Sequence, residues 1–246
     1  MSTIKRLRIF AGPNGSGKSV LFNKFRENYI TGYFVNADEI EKKLATSGFI
    51  DLSEAGLKTE AKDLINFKKT IGAKSLLAKT NKENKTIDIK LIDNFLVDKE
   101  KETHSYEASF AAAFIRYMLI KTNKSFSFET VMSHPYKLEE IRQANIKGYK
   151  TYLYFVCTES PLINVARIDN RVDKGGHSVD RSKIEERYLK SLENLPEAFK
   201  ITHRSYFFDN SGLKTQLIAE GFNGKEIKIF TEDCPNWFIN FFGNIF

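Results

Sequence analysis

Eight residues near the N-terminus, GPNGSGKS, combine three glycines, a lysine and a serine at a defined spacing. Gly12 is followed after four residues by Gly17, Lys18 and Ser19, which matches the pattern G-x-x-x-x-G-K-[ST]. In such a loop the backbone N–H groups surround phosphates, the lysine contacts the β- and γ-phosphates, and the serine hydroxyl binds Mg²⁺. We therefore predict a nucleotide site made of Gly12, Pro13, Asn14, Gly15, Ser16, Gly17, Lys18 and Ser19.

Asp38 is the second candidate for chemistry, because it ends the strand-like run GYFVNAD. The carboxyl ends of neighbouring parallel strands share one crevice, so this carboxylate could accept a proton from a hydroxyl that attacks the γ-phosphate. The alternative is that Asp38 caps the helix that follows. From the residues alone, the two interpretations are equally supported.

The run SFSFETVMSHP places several polar side chains at the end of another predicted strand. Glu129 interrupts apolar residues and is expected to have a defined partner, since an unpaired carboxylate near a core is costly. It could bind a substrate hydroxyl or a metal-bound water. Ser133 and His134 could instead cap the helix that begins at Pro135, and for His134 we favour the cap.

Four arginines surround a glycine pair further along the chain: Arg167, Arg171, Arg181 and Arg187. Arg167 and Arg171 are four residues apart and share a helical face, and the glycines would allow the segment 160–190 to close as a lid. An arginine brought to the transferring phosphoryl group stabilises charge in the transition state. The alternative is a solvated basic face, so we expect only one or two of them to touch phosphate.

Predicted strands and helices alternate along the chain, which indicates an α/β fold with three layers, α/β/α, around a central, mostly parallel sheet. RSYFFDNS is interpreted as the last buried strand, and the tail after it as a short strand and an aromatic anchor. We expect one domain over residues 1–246, with a largely helical insertion at residues 50–105.

The composition favours an anionic partner, because the net charge of +7 concentrates anions near the surface. No apolar run is long enough for a membrane helix or a signal-peptide core. Two distant cysteines provide neither zinc spacing nor a disulfide framework, which favours a cytoplasmic location. No interleaving of arginine with aromatic residues is present, so we do not expect a nucleic-acid platform.

The ordered set GPNGSGKS, FVNADEI, SFSFETVMSHP, GYKTYLYFV and NRVDKGGHSV resembles the zeta-toxin family of P-loop kinases, including its uncharacterised predicted-ATPase relatives. The resemblance implies a P-loop NTPase fold of the kinase type, ATP or GTP as phosphoryl donor, and Mg²⁺. It also implies a hydroxyl of UDP-N-acetylglucosamine as acceptor and a small antitoxin protein as partner.

The same resemblance implies roles for individual residues. Asp38 matches the proton acceptor of the family, and Arg171 is the best match to a lid arginine that binds phosphate, with Arg167 and Arg187 as rivals. The acidic residue of the ET motif contacts substrate in the family, which matches Glu129. Thr130, Ser133 and His134 of the same run are candidate acceptor-binding residues from their position at the strand end.

The sequence therefore predicts a kinase that acts on a small acceptor such as a nucleotide sugar. The acceptor is open, because the insertion lies where such kinases often build the acceptor pocket. The alternatives are a polynucleotide 5′-hydroxyl kinase, suggested by the basic charge, and a non-catalytic, nucleotide-dependent module that binds a protein.

Overall fold

The computed structural model describes residues 4–98, 105–173 and 180–242. Its strands are β1 (Arg6–Ala11), β2 (Tyr33–Val35), β3 (Phe49–Asp51), β4 (Ile89–Ile92), β5 (Phe95–Asp98), β6 (Phe126–Thr130), β7 (Lys150–Cys157), β8 (Arg204–Asp209), β9 (Gln216–Phe222) and β10 (Glu226–Ile229). Its helices are α1 (Lys18–Asn28), α2 (Ala37–Ser47), α3 (Ala61–Lys68), α4 (Ile71–Lys82), α5 (Ser105–Lys121), α6 (Tyr136–Ile146), α7 (Pro161–Val172), α8 (Arg181–Glu193), α9 (Leu195–Ile201) and α10 (Asn236–Phe242). A short 3₁₀ helix spans Leu52–Ala55.

The chain divides into two compact units, one of residues 1–31 and 128–246 and one of residues 32–127. In the first unit β1, β7 and β8 lie side by side and parallel, and β9 and β10 extend the sheet in antiparallel fashion. Helices alternate with the parallel strands along the chain. The predicted α/β class with a central, mostly parallel sheet is therefore confirmed.

The strand register brings the carboxyl ends of β1, β7 and β8 to one edge of the sheet. Ala11 lies opposite Phe155, and Cys157 lies opposite Asp209. The segments that follow these three strands therefore emerge together, which is where ligands bind in open α/β sheets.

The interpretation of RSYFFDNS as the last buried strand is wrong, because β9 follows it and pairs with β8. Ile218 and Ala219 of β9 are buried, although Glu220 and Gly221 weaken the apolar pattern of the strand. The sheet therefore continues past the strand that was expected to end it.

Aromatic side chains anchor the tail to the first unit, as predicted. The Phe207 ring lies 5.5 Å from the Phe238 ring and 5.0 Å from the Phe242 ring, both from α10. Trp237 is also buried. Helix α10 is thus held by the apolar burial of its own aromatic face.

The second unit combines helices with a small antiparallel sheet in the order β3-β5-β4. Residues 50–105 contribute α3, α4, β4 and β5 to it, so this segment carries strands as well as the expected helices. Phe67 of α3 packs edge-on against Phe110 and Phe114 of α5, which fixes part of its core.

Across the described ranges, we find no helix with both the length and the apolar character that a membrane crossing requires.

Candidate active site

Residues 12–17 form the loop between β1 and α1, and Lys18 and Ser19 are the first two residues of α1, as the sequence pattern requires. Gly12, Gly15 and Gly17 have φ values of +137°, +75° and +103°, in the region that favours glycine. A Cβ atom at Gly12 would lie 2.0 Å from the carbonyl oxygen of Val156 in β7, so the loop backbone passes too close to the sheet for any other residue. Gly17 caps α1, whose N-terminus therefore faces the loop.

Lys18, Ser19 and Glu129 come together at the start of α1. The Ser19 hydroxyl donates a hydrogen bond of 2.8 Å to Oε2 of Glu129, and Nζ of Lys18 lies 3.7 Å from Oε1 of the same carboxylate. Nζ of Lys18 also donates to the carbonyl oxygen of Pro13 at 2.8 Å. The carboxylate at the end of β6 thus faces the lysine and the hydroxyl of the phosphate-binding pattern.

Burial makes this cluster electrostatically strong. The side chain of Lys18 is 6% exposed and that of Glu129 is 16% exposed, so water screens their attraction only weakly. The sequence predicted that Glu129 would have a partner, and the structure provides two.

The oxygen atoms of Ser19 and Glu129 fit a magnesium ion, which prefers one or two protein oxygen ligands together with phosphate oxygens and water. The two side-chain oxygens are 2.8 Å apart, close enough to serve one ion or a water bound to it. Elsewhere among the described residues, no group of three or more His, Cys, Asp and Glu side chains could hold a metal ion.

Two asparagines that sequence reasoning missed hold the back of the loop. Nδ2 of Asn164, in α7, donates to the carbonyl oxygen of Asn14 at 2.5 Å, and Nδ2 of Asn210, directly after β8, donates to that of Ser16 at 2.7 Å. Asn164 lies in the predicted lid segment and Asn210 at the end of RSYFFDNS, but no local pattern distinguishes an amide that reaches a distant carbonyl.

Two side-chain oxygens of the loop, Asn14 Oδ1 and Ser16 Oγ, are buried and have no hydrogen-bond partner among the described residues, and the same is true of Arg167 Nη1 on α7. Buried polar atoms are normally paired, so such a concentration is typical of a site that binds a ligand. Arg167 lies one helical turn beyond Asn164 on α7, and its Nη2 donates to the carbonyl oxygen of Gly212 at 3.4 Å.

The groups behind Asn164 are neutral and unreactive. Burial raises the pKa of the Cys157 thiol to about 12 and also raises the pKa of Tyr188. The Tyr188 hydroxyl donates to the carbonyl oxygen of Thr158 at 2.6 Å, and the Thr158 hydroxyl donates to Oδ1 of Asn164. These hydrogen bonds connect α8 to the support of the phosphate loop.

Asp38 lies in the second unit, in the first turn of α2, and its side chain is exposed. The expectation that it could cap this helix is wrong, because Asn36 is the N-cap and its Oδ1 accepts from the N–H groups of Asp38 and Glu39 at 2.8 and 3.3 Å. Its carboxylate is therefore not needed for capping, and its catalytic role stays a prediction.

The other predicted acceptor-binding residues lie near the start of α6. His134 accepts the N–H of Tyr136 through Nδ1 at 3.4 Å, so it contributes to the helix start as favoured. The helix itself begins one residue later than expected, with Pro135 at the N-cap. Thr130 accepts the N–H of Met132 at 3.1 Å, and Ser133 is half-buried.

The predicted lid consists of α7 and α8 where the structure describes it. Arg167 is half-buried and Arg171 is exposed on α7, while Arg187 is half-buried on α8. The glycine pair expected to act as the hinge lies at residues 175 and 176, outside the described residues. Closure of the segment and the choice among the arginines therefore stay predictions.

The strand, phosphate loop and helix at the start of the chain define a P-loop fold of the α/β class. No protein-family model matches the sequence, and no curated protein matches it. Solved structures do match. The complex of AvrRxo1-ORF1 and AvrRxo1-ORF2 with ATP aligns with a TM-score of 0.54 and 14% identity, over 93% of this chain and 61% of the matched chain.

The same complex with sulphate ions aligns with a TM-score of 0.52 and 14% identity, over 93% of this chain and 61% of the matched chain. The PezAT chromosomal toxin–antitoxin system of Streptococcus pneumoniae aligns with a TM-score of 0.44 and 11% identity, over 87% and 72% of the two chains. This chain thus spans less than two thirds of the AvrRxo1 chains that it matches. The likeness to the AvrRxo1 complexes, at 14% identity, shows a shared fold.

Proposed function

We propose that this protein is a phosphotransferase of the zeta-toxin type, which transfers the γ-phosphoryl group of ATP or GTP to a hydroxyl of a small acceptor. The observation that carries the proposal is the contact of Glu129 with both Lys18 and Ser19 at the phosphate loop. A phosphate-binding lysine, a metal-binding hydroxyl and a carboxylate in one cluster are the parts that phosphoryl transfer needs.

The loop and the start of α1 would bind the phosphates. Backbone N–H groups and the helix N-terminus favour the negative charge, and Lys18 would exchange part of its contact with Glu129 for the β- and γ-phosphates. Ser19 and Glu129 would hold magnesium. The bound ion would neutralise charge on the phosphate oxygens, and we assign Glu129 to this task in preference to acceptor binding.

Arginine at the transferring group is the next part of the proposal. Arg167 is the best-supported of the three candidates, since its Nη1 is buried and has no partner among the described residues, while Nη2 is held by the Gly212 carbonyl oxygen. A guanidinium anchored by one nitrogen can direct another toward an anion. Arg171 and Arg187 would then act from more distant parts of the lid.

Asp38 is proposed to accept the proton of the acceptor hydroxyl. The acceptor oxygen forms a bond to the γ-phosphorus, the bond from that phosphorus to the β-phosphate oxygen breaks, and ADP or GDP leaves. The hydroxyl proton passes to the Asp38 carboxylate. Positioning and electrostatics supply most of the acceleration in such a reaction.

Replacement of Asp38 by Asn tests the base. We expect kcat to fall by about 10² to 10⁴ while nucleotide affinity stays within twofold, because a general base contributes about that factor. Glu39→Gln is the matched control, since it removes the neighbouring exposed carboxylate of the same helical turn. Equal rates for Asp38→Asn and wild type would refute the assignment.

The acceptor is proposed from the resemblance and the charge. The net charge of +7 favours an anionic acceptor, and UDP-N-acetylglucosamine is the first compound to test. We propose that residues 50–105 form the acceptor side of a single kinase domain and that residues 160–190 form its lid. A small antitoxin protein is the corresponding proposed partner.

A 5′-hydroxyl of a polynucleotide is the second candidate acceptor, again because of the positive charge. Binding to a phosphate backbone should weaken steeply between 50 and 200 mM salt, as an order of magnitude by 10³ or more for several phosphate contacts. Turnover of a small acceptor should change much less. The absence of any mobility shift of an oligonucleotide at low salt would exclude this candidate.

A further inference from the structure

Two carbonyl oxygens of the phosphate loop, those of Asn14 and Ser16, each accept a hydrogen bond from a side-chain amide. Asn164 donates to the carbonyl oxygen of Asn14 at 2.5 Å, and Asn210 donates to the carbonyl oxygen of Ser16 at 2.7 Å. A peptide whose carbonyl is held outward directs the N–H of the next residue inward. The two amides therefore act on the orientation of the groups that would bind phosphate.

Each amide is itself held in one orientation by a threonine. Oδ1 of Asn164 accepts from the Thr158 hydroxyl, and Oδ1 of Asn210 accepts from the Thr215 hydroxyl at 2.8 Å. Because a carbonyl oxygen cannot donate, the nitrogen of each amide must face the loop. Neither amide can turn over without losing its hydrogen bond to the loop, because the carbonyl oxygens of Asn14 and Ser16 can only accept.

The same two residues fit closely against the glycines of the loop. A Cβ atom at Gly15 would lie 2.7 Å from the backbone oxygen of Asn164, and one at Gly17 would lie 2.3 Å from Nδ2 of Asn210. A side chain at either glycine would therefore collide with an asparagine, so the loop backbone packs directly against both residues. The support is therefore steric as well as polar.

We propose that Asn164 and Asn210 are positioning residues that hold the phosphate loop in its anion-binding form before nucleotide arrives. The inference rests on the proposed nucleotide site. Without either amide the loop would reach that form less often, and the observed affinity for phosphate would fall in proportion. Neither residue needs to touch the nucleotide for this effect.

Asn145 offers a closely matched control in the same unit. Its Nδ2 donates to the carbonyl oxygen of Ile201 at 2.6 Å, and its Oδ1 accepts from the Thr151 hydroxyl at 3.0 Å. Asn145 and Asn210 are both half-buried and make the same pair of hydrogen bonds. Asn145→Ala should therefore reproduce the loss of stability without touching the phosphate loop.

The test compares ADP binding and thermal unfolding in wild type, Asn164→Ala, Asn210→Ala, Asn210→Asp and Asn145→Ala. We expect Kd for ADP to rise about tenfold or more in each variant of Asn164 and Asn210, and to stay within twofold in Asn145→Ala. Asn210→Asp keeps the acceptor for Thr215, loses the donor and adds a negative charge beside the loop, so its loss of affinity should be at least as large as that of the uncharged Asn210→Ala, which measures the hydrogen bond itself.

Inorganic pyrophosphate serves as a second ligand, since it presents phosphate without a nucleoside, and we expect its Kd to rise in parallel. Unchanged ADP affinity in both Asn164→Ala and Asn210→Ala would overturn the inference and leave the proposed function standing. An equal loss of affinity in Asn145→Ala would reduce their role to general stability and also overturn it. Failure of the wild type to bind ADP would instead refute the proposed function itself.

Discussion

Replacement of Glu129 by Gln removes the charge that faces Lys18 and Ser19 while it keeps the shape of the side chain. At the observed 3.7 Å separation of Lys18 Nζ and Glu129 Oε1, the attraction is about 4 kcal/mol with an effective dielectric constant of 20. Phosphate must compete with this carboxylate for the lysine. If Glu129→Gln frees Lys18 from only one third of this attraction, ADP binding gains about 1.4 kcal/mol, which lowers its Kd tenfold.

Magnesium should reduce this gain in ADP affinity. An amide oxygen is a weaker magnesium ligand than a carboxylate, so the ion should improve ADP binding less in Glu129→Gln than in wild type. We expect ADP to bind the variant about tenfold more tightly in EDTA, with much of this advantage lost in MgCl₂. Phosphoryl transfer should fall by about 10² to 10³, as when one preorganised electrostatic group is removed.

Isothermal titration with ADP, in EDTA and in MgCl₂, measures both effects. Glu140→Gln is the control, because Glu140 forms a comparably buried ion pair with Lys137, with a separation of 3.2 Å and side chains that are 19% and 15% exposed. It should change neither affinity. Unaltered ADP binding of Glu129→Gln under both conditions would refute the assignment of this carboxylate to the phosphate and metal site.

Three further results are expected. Gly15→Ala should lower the free energy of unfolding by about 1 to 2 kcal/mol, because Gly15 has a φ of +75°. It should also weaken ADP binding. Thermal unfolding measures the first effect and titration with ADP the second, and unchanged ADP affinity would contradict the loop geometry. Cys234 is half-buried and should react with a thiol reagent in the native protein, whereas Cys157 should not. Burial raises the pKa of the Cys157 thiol to about 12, so roughly one Cys157 thiol in ten thousand is ionised at pH 8. Mass spectrometry of the labelled peptides measures the two reactivities. Burial raises the pKa of Asp63, but hydrogen bonds from Lys121 and from a backbone N–H lower it by more, so that the folded-state pKa lies below 3.8. The Asp63 carboxylate therefore stabilises the fold fully above pH 3.8, and this stabilisation is lost as the pH falls through the folded-state pKa. Asp63→Asn should therefore destabilise the protein in urea at pH 7 and much less at acid pH, and an equal effect at both would contradict the ion pair.

Local patterns predicted the phosphate loop and the strand and helix that flank it. These patterns all lie in adjacent residues of the sequence, since an apolar run ends at Gly12 and a helical pattern begins at Lys18. The mostly parallel sheet also followed from alternation of elements. Strand β9 was not predicted because Glu220 and Gly221 interrupt the apolar pattern of QLIAEGF, and its pairing with β8 and β10 is not visible in the sequence.

Contacts between distant parts of the chain could not be predicted from spacing. The Ser19 contact with Glu129 spans 110 residues, and the asparagine contacts with Asn14 and Ser16 span 150 and 194 residues. The cost of a buried carboxylate indicated that Glu129 must have a partner, but not which one. Buried amides give a weaker signal still, since many carbonyl groups can satisfy them.

The identity of the residue that caps α2 could not be predicted either, for a local reason. Asn36 and Asp38 are both residue types that cap helices, and they stand two positions apart. The backbone decides between them, because Asn36 has extended dihedral angles and Asp38 already lies inside the helix. This outcome frees the Asp38 carboxylate from a structural task.

Transfer of label from γ-labelled ATP tests the proposed function most directly. The purified protein is incubated with Mg²⁺, labelled ATP and a panel of UDP-sugars, nucleotides and oligonucleotides, with Lys18→Ala as the control. We predict label on a hydroxyl of one small acceptor with the wild-type protein and none with Lys18→Ala. Binding of ATP without transfer to any acceptor in a broad panel, or equal transfer by Lys18→Ala, would contradict the assignment of this protein as a P-loop phosphotransferase.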